Sequence, residues 1–216
     1  MSYSIIIPTM WVNKESLVDM CRVYEGCDLV DEVLVINNND RASIPLLFSK
    51  VRIIGNGTNK YVNPSWNYGV RMAKCDRVVI ANDDIDVRAF DPMMRVLDAY
   101  LEPGWVIGVH NSCFPIKNKF NPYGFRPGAI DVIKSASMNW GWGVFMVLHK
   151  KDYVHIPEEY LIWYGDDYQY KNLYPHSIIG PLFETKMSET LDSSRHLSSL
   201  AAKDAKRYAK NKKNGR

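Results

Sequence analysis

Val78-Val79-Ile80-Ala81-Asn82-Asp83-Asp84-Ile85-Asp86 is the stretch on which the reading of this chain turns. Its first four residues are apolar and three of them are β-branched, which predicts a short buried strand. The strand runs directly into one asparagine and three aspartates. Carboxylates packed this closely at the edge of a core need something to pair them. In an open α/β sheet the carboxyl ends of the strands line the ligand crevice. That placement points to a hard divalent cation carrying phosphate. The plain alternative is an acidic turn in solvent, since aspartate and asparagine favour turns, so the flanking chain has to decide.

Upstream, residues 4–7 form a β-branched run closed by Pro8-Thr9, a first strand. Asn13 is placed to cap a helix with Leu17, Met20, Cys21 and Tyr24 on one face. Val33 to Ile36 form a second strand that opens onto Asn37-Asn38-Asn39-Asp40. Strand, helix and strand within forty residues make a βαβ unit and predict a parallel sheet. Residues 51–54 read as a third strand. A Gly/Asn loop follows, then a helix with Asn63 as cap and Pro64 first, turning Trp66, Val70 and Ala73 inward. Downstream, a helix begins at Asp91-Pro92 and presents Met93, Val96, Leu97 and Tyr100. Residues 105–109 form a fifth strand. From His110 to Gly128 no period persists, and a loop of that length inside a compact domain is usually functional or mobile. Residues 143–148 resume as a strand, a second acidic focus at Asp166-Asp167 enters a short helix, residues 177–185 read as one mixed strand, and Leu197, Leu200 and Tyr208 suggest a final helix.

Length allows one sheet covered by helices on both faces, with the main domain over residues 1–190 and a C-terminal helix and tail over 191–216. The net charge of +3 misleads. Residues 203–216 hold seven Lys and Arg against Asp204, which leaves the remainder at −3. A nucleic-acid footprint spread over the fold is therefore not expected. The basic end reads either as a solvated helix or as a peripheral contact with an anionic membrane. Cys21, Cys27, Cys75 and Cys113 have neither metal spacing nor disulfide density, which fits a reducing, cytoplasmic setting. The first residues enter a strand with no charged-then-apolar leader, and no apolar run approaches the ~20 residues needed to span a bilayer.

With these stretches laid out, residues 3–175 resemble the nucleotide-sugar glycosyltransferases of GT-A fold, family-2 type. The resemblance implies an α/β, Rossmann-like, mostly parallel central sheet flanked by helices. Ile7-Pro8-Thr9 is similar to the family's opening strand, whose end cradles the nucleotide. Val35-Ile36-Asn37-Asn38 stands where the family usually carries an apolar strand ending in Asp-Asp against base and ribose. Asn59 and Asn67-Tyr68-Gly69 resemble the Asn-rich segment and its helix. Asn82-Asp83-Asp84 resembles the metal motif in the variant whose first member is Asn, which puts the metal ligand on Asp84. His196 matches a histidine that completes the shell in some relatives. Gly141-Trp142-Gly143 followed by Asp166-Asp167 resembles the acceptor-side strand and the acidic pair beyond it, whose second member is the base. The resemblance thus implies Asp167 as base beside Asp166, Trp142 and Gly143 at the acceptor, and Pro8, Thr9, Asn37, Asn38, Asn59, Asn67, Asn82 and Asp83 around the donor.

The chemistry explains why such residues are needed. A departing nucleoside diphosphate gains negative charge, which Mn2+ or Mg2+ on Asp84 would offset. The acceptor hydroxyl loses a proton as it attacks, so a carboxylate must face it from the other side of the sugar. Attack opposite the leaving group inverts the anomeric carbon. The expected partners are a nucleoside-diphosphate sugar and a saccharide or lipid-linked acceptor, as in glycan biosynthesis, with hexosyl or deoxyhexosyl transfer. A sugar-nucleotide nucleotidyltransferase is the main rival. That class generally carries a Gly-rich basic loop after the first strand, where this chain has Pro8-Thr9-Met10-Trp11. A nucleotide-binding module without catalysis is the other.

Overall fold

A computed structural model describes residues 2–12, 14–39, 48–55, 58–115, 117, 121–185 and 198–213. The strands are β1 (Tyr3–Thr9), β2 (Val30–Asn37), β3 (Val51–Ile54), β4 (Arg77–Ala81), β5 (Ile85–Val87), β6 (Trp105–Val109), β7 (Asp131–Lys134), β8 (Phe145–His149), β9 (Tyr174–Ile179) and β10 (Phe183–Thr185). The helices are α1 (Lys14–Glu25), α2 (Val62–Met72), α3 (Phe90–Tyr100), α4 (Gly165–Asn172) and α5 (Ser198–Lys213).

Eight strands form one sheet in the order β3-β2-β1-β4-β8-β6-β9-β7. The strands β1, β2, β3 and β4 pair in parallel, as do β6 and β9. Strand β8 runs antiparallel to both β4 and β6, and β7 runs antiparallel to β9. The sheet is therefore mostly parallel, as the βαβ pattern predicts, with one reversed strand at its centre. A strand buried on both faces reads as one continuous apolar run, so its direction cannot be taken from Phe145-Met146-Val147-Leu148 alone.

Successive residues of β1 feed two cores, as strand alternation requires. Ile5 and Ile7 pack with Leu17, Met20, Cys21 and Tyr24 of α1 and with Phe90, Met93, Met94 and Leu97 of α3. Ile6 packs on the other face with Trp66, Val70 and Ala73 beside α2, and with Trp142, Ile156 and Tyr160. Gly69 is needed there, because a Cβ would stand 2.3 Å from the Ile6 side chain. The result is a helix–sheet–helix sandwich of ordinary α/β kind.

Several local expectations are corrected. Helix α2 starts at Val62, with Tyr61 preceding it at φ 64°, so Pro64 is not its first residue and Asn63 is not its cap. On α3 the inward stripe is Phe90, Met93, Met94 and Leu97, while Tyr100 at the helix end is 44% exposed. Residues 177–185 belong to two strands, β9 and β10, separated by a turn at Gly180. Asn13 and Leu197 lie outside the described residues. No described helix is long and apolar enough to cross a membrane.

Candidate functional site

Parallel strands all end on the same edge of the sheet. Thr9 closes β1, Asn37 closes β2 in register with it, and Asn82 to Asp84 follow β4. These ends are tied together. The Thr9 hydroxyl donates to Asp83 Oδ2 at 2.6 Å, and Thr9 Oγ1 accepts from the Trp11 amide at 2.9 Å. The Trp11 indole N–H donates to Asn37 Oδ1 at 2.7 Å, and the Asn39 amide donates to the same oxygen at 3.0 Å. With that oxygen engaged, what Asn37 offers a ligand is its Nδ2 donor. Pro8 is half-buried between these groups.

Asp84 is buried and Asp83 half-buried beside it. Burial pushes the Asp83 carboxyl up to about 6, the Thr9 bond opposes this, and the Asp84 charge adds to it. A protein rarely crowds two carboxylates at a strand end unless a positive charge joins them. The pair suits Mg2+ or Mn2+: hard oxygen donors, one or two carboxylates, and a shell that phosphate oxygens complete. Among the described residues no cluster of three His, Cys, Asp or Glu forms a protein-only metal cage. His196 lies outside the described residues. Strand β10 pairs Thr185 with Ile85, the residue that follows Asp84.

The second acidic focus reaches the same edge through β8. The Asn82 amide donates to the Val144 carbonyl at 2.9 Å, just before β8 begins. The preceding residue, Gly143, lies under the Asp166 side chain. A Cβ on Gly143 would stand 2.4 Å from Asp166 Oδ2. Two acidic segments more than eighty residues apart in sequence thus reach neighbouring residues of one strand end, the first through the Asn82 amide on Val144 and the second through the Asp166 side chain on Gly143. Burial pushes the Asp166 carboxyl up to about 6, with the Asp167 charge adding to it. Asp166 Oδ1 accepts from the Asp167 amide at 3.1 Å, and Asp167 Oδ1 accepts from the Tyr208 hydroxyl at 2.8 Å.

Four expected site residues have other work or stand apart. Trp142 is fully buried, and its indole N–H lies between the His176 carbonyl at 3.1 Å and Ser177 Oγ at 3.2 Å. It fills the core, so it cannot stack on an acceptor sugar. Asn67 is buried and brackets the chain beyond β8: it donates to the Ile156 carbonyl at 2.8 Å and accepts from the Tyr153 hydroxyl at 2.9 Å and the Ile156 amide at 3.1 Å. No acceptor capacity remains for a nucleotide. Asn38 is also buried, donating to Ser65 Oγ at 3.0 Å and accepting from the Lys60 amide at 3.0 Å, so its amide holds the 58–61 loop and the first turn of α2 against β2. Asn59 is exposed and accepts from the Tyr61 amide at 2.8 Å, a local turn contact. His176 stacks on Trp105 at 3.6 Å and is structural.

Sequence reasoning passed over other residues. Trp11, Tyr61 and Tyr164 all sit at positive φ, between 62° and 69°. Bulky side chains rarely take that conformation, and it collects where function demands it. Trp11 follows β1, Tyr61 precedes α2 and Tyr164 precedes α4, so all three mark turns into or out of the site. Trp163, beside the acidic pair in sequence, is 47% exposed. None of these has a one-dimensional signature, although Trp163-Tyr164 immediately before Gly165-Asp166-Asp167 was visible as an aromatic pair.

No protein-family model matches the chain, and no curated protein matches it in sequence. Solved structures do match. The chain superposes on S. aureus TarS 1–349 with TM-score 0.59 at 12% identity, over 93% of this chain and 65% of that one. A complex of TarS 1–349 with UDP gives 0.55 at 12% identity, over 85% and 59%. GalNAc-T7 with UDP, GalNAc and Mn2+ gives 0.53 at 12% identity, over 86% and 44%. The chain thus has the fold of the GT-A nucleotide-sugar glycosyltransferases. It spans less than two thirds of the length of each of these structures.

Proposed function

We propose that this chain is the catalytic part of an inverting, metal-assisted glycosyltransferase that moves a sugar from a UDP-linked donor to an acceptor hydroxyl. The observation that carries this reading is that the segments bearing the two acidic pairs both contact the Gly143–Val144 backbone, through Asn82 and Asp166. A binding fold without chemistry has no need of a second, half-buried carboxylate pair there. The GT-A fold, shared with structures that hold UDP, supports a uridine donor over other nucleotides.

Each residue then has a task. Asn37 Nδ2 and the Thr9–Trp11 turn receive the nucleoside at the ends of β1 and β2. Asp84, with Asp83 beside it, would hold Mn2+ or Mg2+, which supplies the charge that a departing diphosphate requires. Asp167 takes the acceptor proton as the acceptor oxygen bonds to the anomeric carbon. The bond from that carbon to the diphosphate oxygen breaks on the opposite face, so the configuration inverts. Asp166 lies against Gly143 and adds negative charge beside Asp167, which raises its affinity for that proton. Trp163 is the exposed ring for the acceptor sugar face, in place of Trp142.

The test is UDP release from UDP-hexoses with and without Mn2+, against a panel of saccharide acceptors, with the anomeric configuration of the product read by NMR. Metal-dependent release with inverted product supports the reading. Pyrophosphate release instead would make the chain a nucleotidyltransferase, and UDP binding with no turnover on any donor would make it a binding module.

A further inference from the structure

Three segments converge on the loop that leads into the acidic pair. The first is the start of α2. The Asn63 amide donates to the Leu161 carbonyl at 3.0 Å, and Asn63 Nδ2 donates to the Trp163 carbonyl at 2.9 Å. The second is the loop itself, whose Tyr164 is held at φ 69°. The third is α5, from the basic end of the chain. Its Asp204 is 1% exposed, and one oxygen, Oδ2, accepts from the amides of Leu161, Ile162 and Trp163 at 3.2, 2.9 and 3.3 Å. One helical turn later, Tyr208 stacks on Tyr164 with ring centroids 4.2 Å apart and planes 13° from parallel. Its hydroxyl donates to Asp167 Oδ1. Lys171 of α4 lies 4.0 Å over the same ring, and Asn211 donates to the Tyr160 hydroxyl at 2.6 Å.

The geometry points to a clamp: Asp204 and Tyr208 are positioning residues that set the Asp166–Asp167 pair through the 161–165 loop. The inference rests on the reading of Asp167 as the proton acceptor. Its physical basis is threefold. Three consecutive amides aimed at one buried oxygen make a concave backbone site for an anion, and Asp204 is that anion. A tyrosine in the left-handed region persists only where its surroundings over-determine it, and the stacked Tyr208 ring, with Gly165 next in the chain, does so. A base works best when a third group fixes its orientation, and the Tyr208 hydroxyl does this for Asp167. The carbonyl side of the loop is held by Asn63 and the amide side by Asp204, so neither side alone determines its path. The helix at the basic end is thereby part of the active centre rather than a tail, while Lys203, Lys206 and Lys210 on it are exposed.

The full chain tests this with Tyr208→Phe, Tyr208→Leu and Asp204→Asn. The readouts are kcat and donor KM separately, UDP affinity with Mn2+ by calorimetry, and amide hydrogen exchange over residues 161–168. Tyr208→Phe keeps the stack and loses only the hydroxyl, so kcat should fall about tenfold with donor KM, UDP affinity and exchange unchanged. Tyr208→Leu loses both, so kcat should fall on the order of 10²-fold and exchange at 164–168 should quicken. Asp204→Asn should quicken exchange at 161–163 more than tenfold while the rest of the sheet stays protected. Unchanged kcat in both Tyr208 variants would overturn the clamp, and so would equal losses of kcat and UDP affinity. If the wild-type chain transfers no sugar, the transferase reading fails, and exchange at 161–163 in Asp204→Asn still decides the clamp: faster exchange upholds it, unchanged exchange refutes it.

Discussion

The two halves of the sheet are built differently. The half made by β3, β2, β1 and β4 is wholly parallel, and residues that closely follow β1 and β2 tie these two strand ends to each other, to the segment after β4 and to α2: Thr9 to Asp83, Trp11 to Asn37, Asn38 to Ser65. The half made by β8, β6, β9 and β7 reverses direction twice, and its part of the site depends on contacts between distant segments: Asn82 to Val144, Gly143 to Asp166, Tyr208 to Asp167. The first half suits recognition of a donor, because a nucleotide can rest on preformed strand ends. The second suits chemistry, because a proton acceptor must be aimed from another part of the chain. If the division is real, damage to the first half should alter binding, and damage to the second should alter turnover.

The largest expected effect is on turnover. Asp167→Asn should lower kcat by about 10²- to 10⁴-fold, the usual contribution of a positioned carboxylate. UDP affinity with Mn2+, read by calorimetry, should stay within about twofold, since uncharged asparagine leaves ground-state contacts intact. A matching loss of UDP affinity would dissolve the comparison. Next is Asp84→Asn, which should weaken metal-dependent UDP binding on the order of 10²-fold and leave metal-free binding nearly unchanged. If both variants behave alike, the halves are not separate in function.

Gly143→Ala should act at the seam between them. The new Cβ would meet Asp166 Oδ2 at 2.4 Å and its Cβ at 2.5 Å. Overpacking of this kind costs about 1–3 kcal/mol, which a thermal melt would register as a loss of several degrees. Turnover should fall with it while UDP affinity holds. The smallest effect has the opposite sign. Asp166 ionises only above about 6 in the folded chain, against a value near 3.9 when unfolded. Its ionisation therefore opposes folding, with no cost below the unfolded value and the full cost above the folded one. Asp166→Asn should be more stable than wild type at pH 7.5 by about 1–2 kcal/mol, and the two melting curves should converge by about pH 4. A stabilised variant with poor turnover would mark this carboxylate as kept for chemistry.

Reading from sequence succeeded where local pattern and chemistry coincide. An apolar run ending in Asn82-Asp83-Asp84 has few structural outcomes, and the helix stripe Leu17, Met20, Cys21 and Tyr24 is buried as its spacing predicts. It failed where one residue type serves two purposes. An asparagine at a strand end looks the same whether a nucleotide or a backbone amide satisfies it, and for Asn38 and Asn67 it is the protein that does so. The resemblance placed Trp142 at the acceptor, which needs open space beside its ring. The room is instead taken by its own ring, since a Cβ on Gly108 would stand 2.4 Å from the indole. Asp204 was hidden among lysines, and its three amide partners lie more than forty residues away.

The sequence by itself determined the layered α/β architecture, the positions of its first strands and the identity of both acidic clusters. Each of these follows from periodicity and composition over a few neighbouring residues, where burial and backbone geometry act locally. Only the tertiary structure decided that β8 runs backwards, that Trp163 rather than Trp142 is exposed, and that α5 reaches Asp167. These depend on which surfaces meet after the chain folds back on itself, and contacts between segments so far apart leave no periodic trace along it.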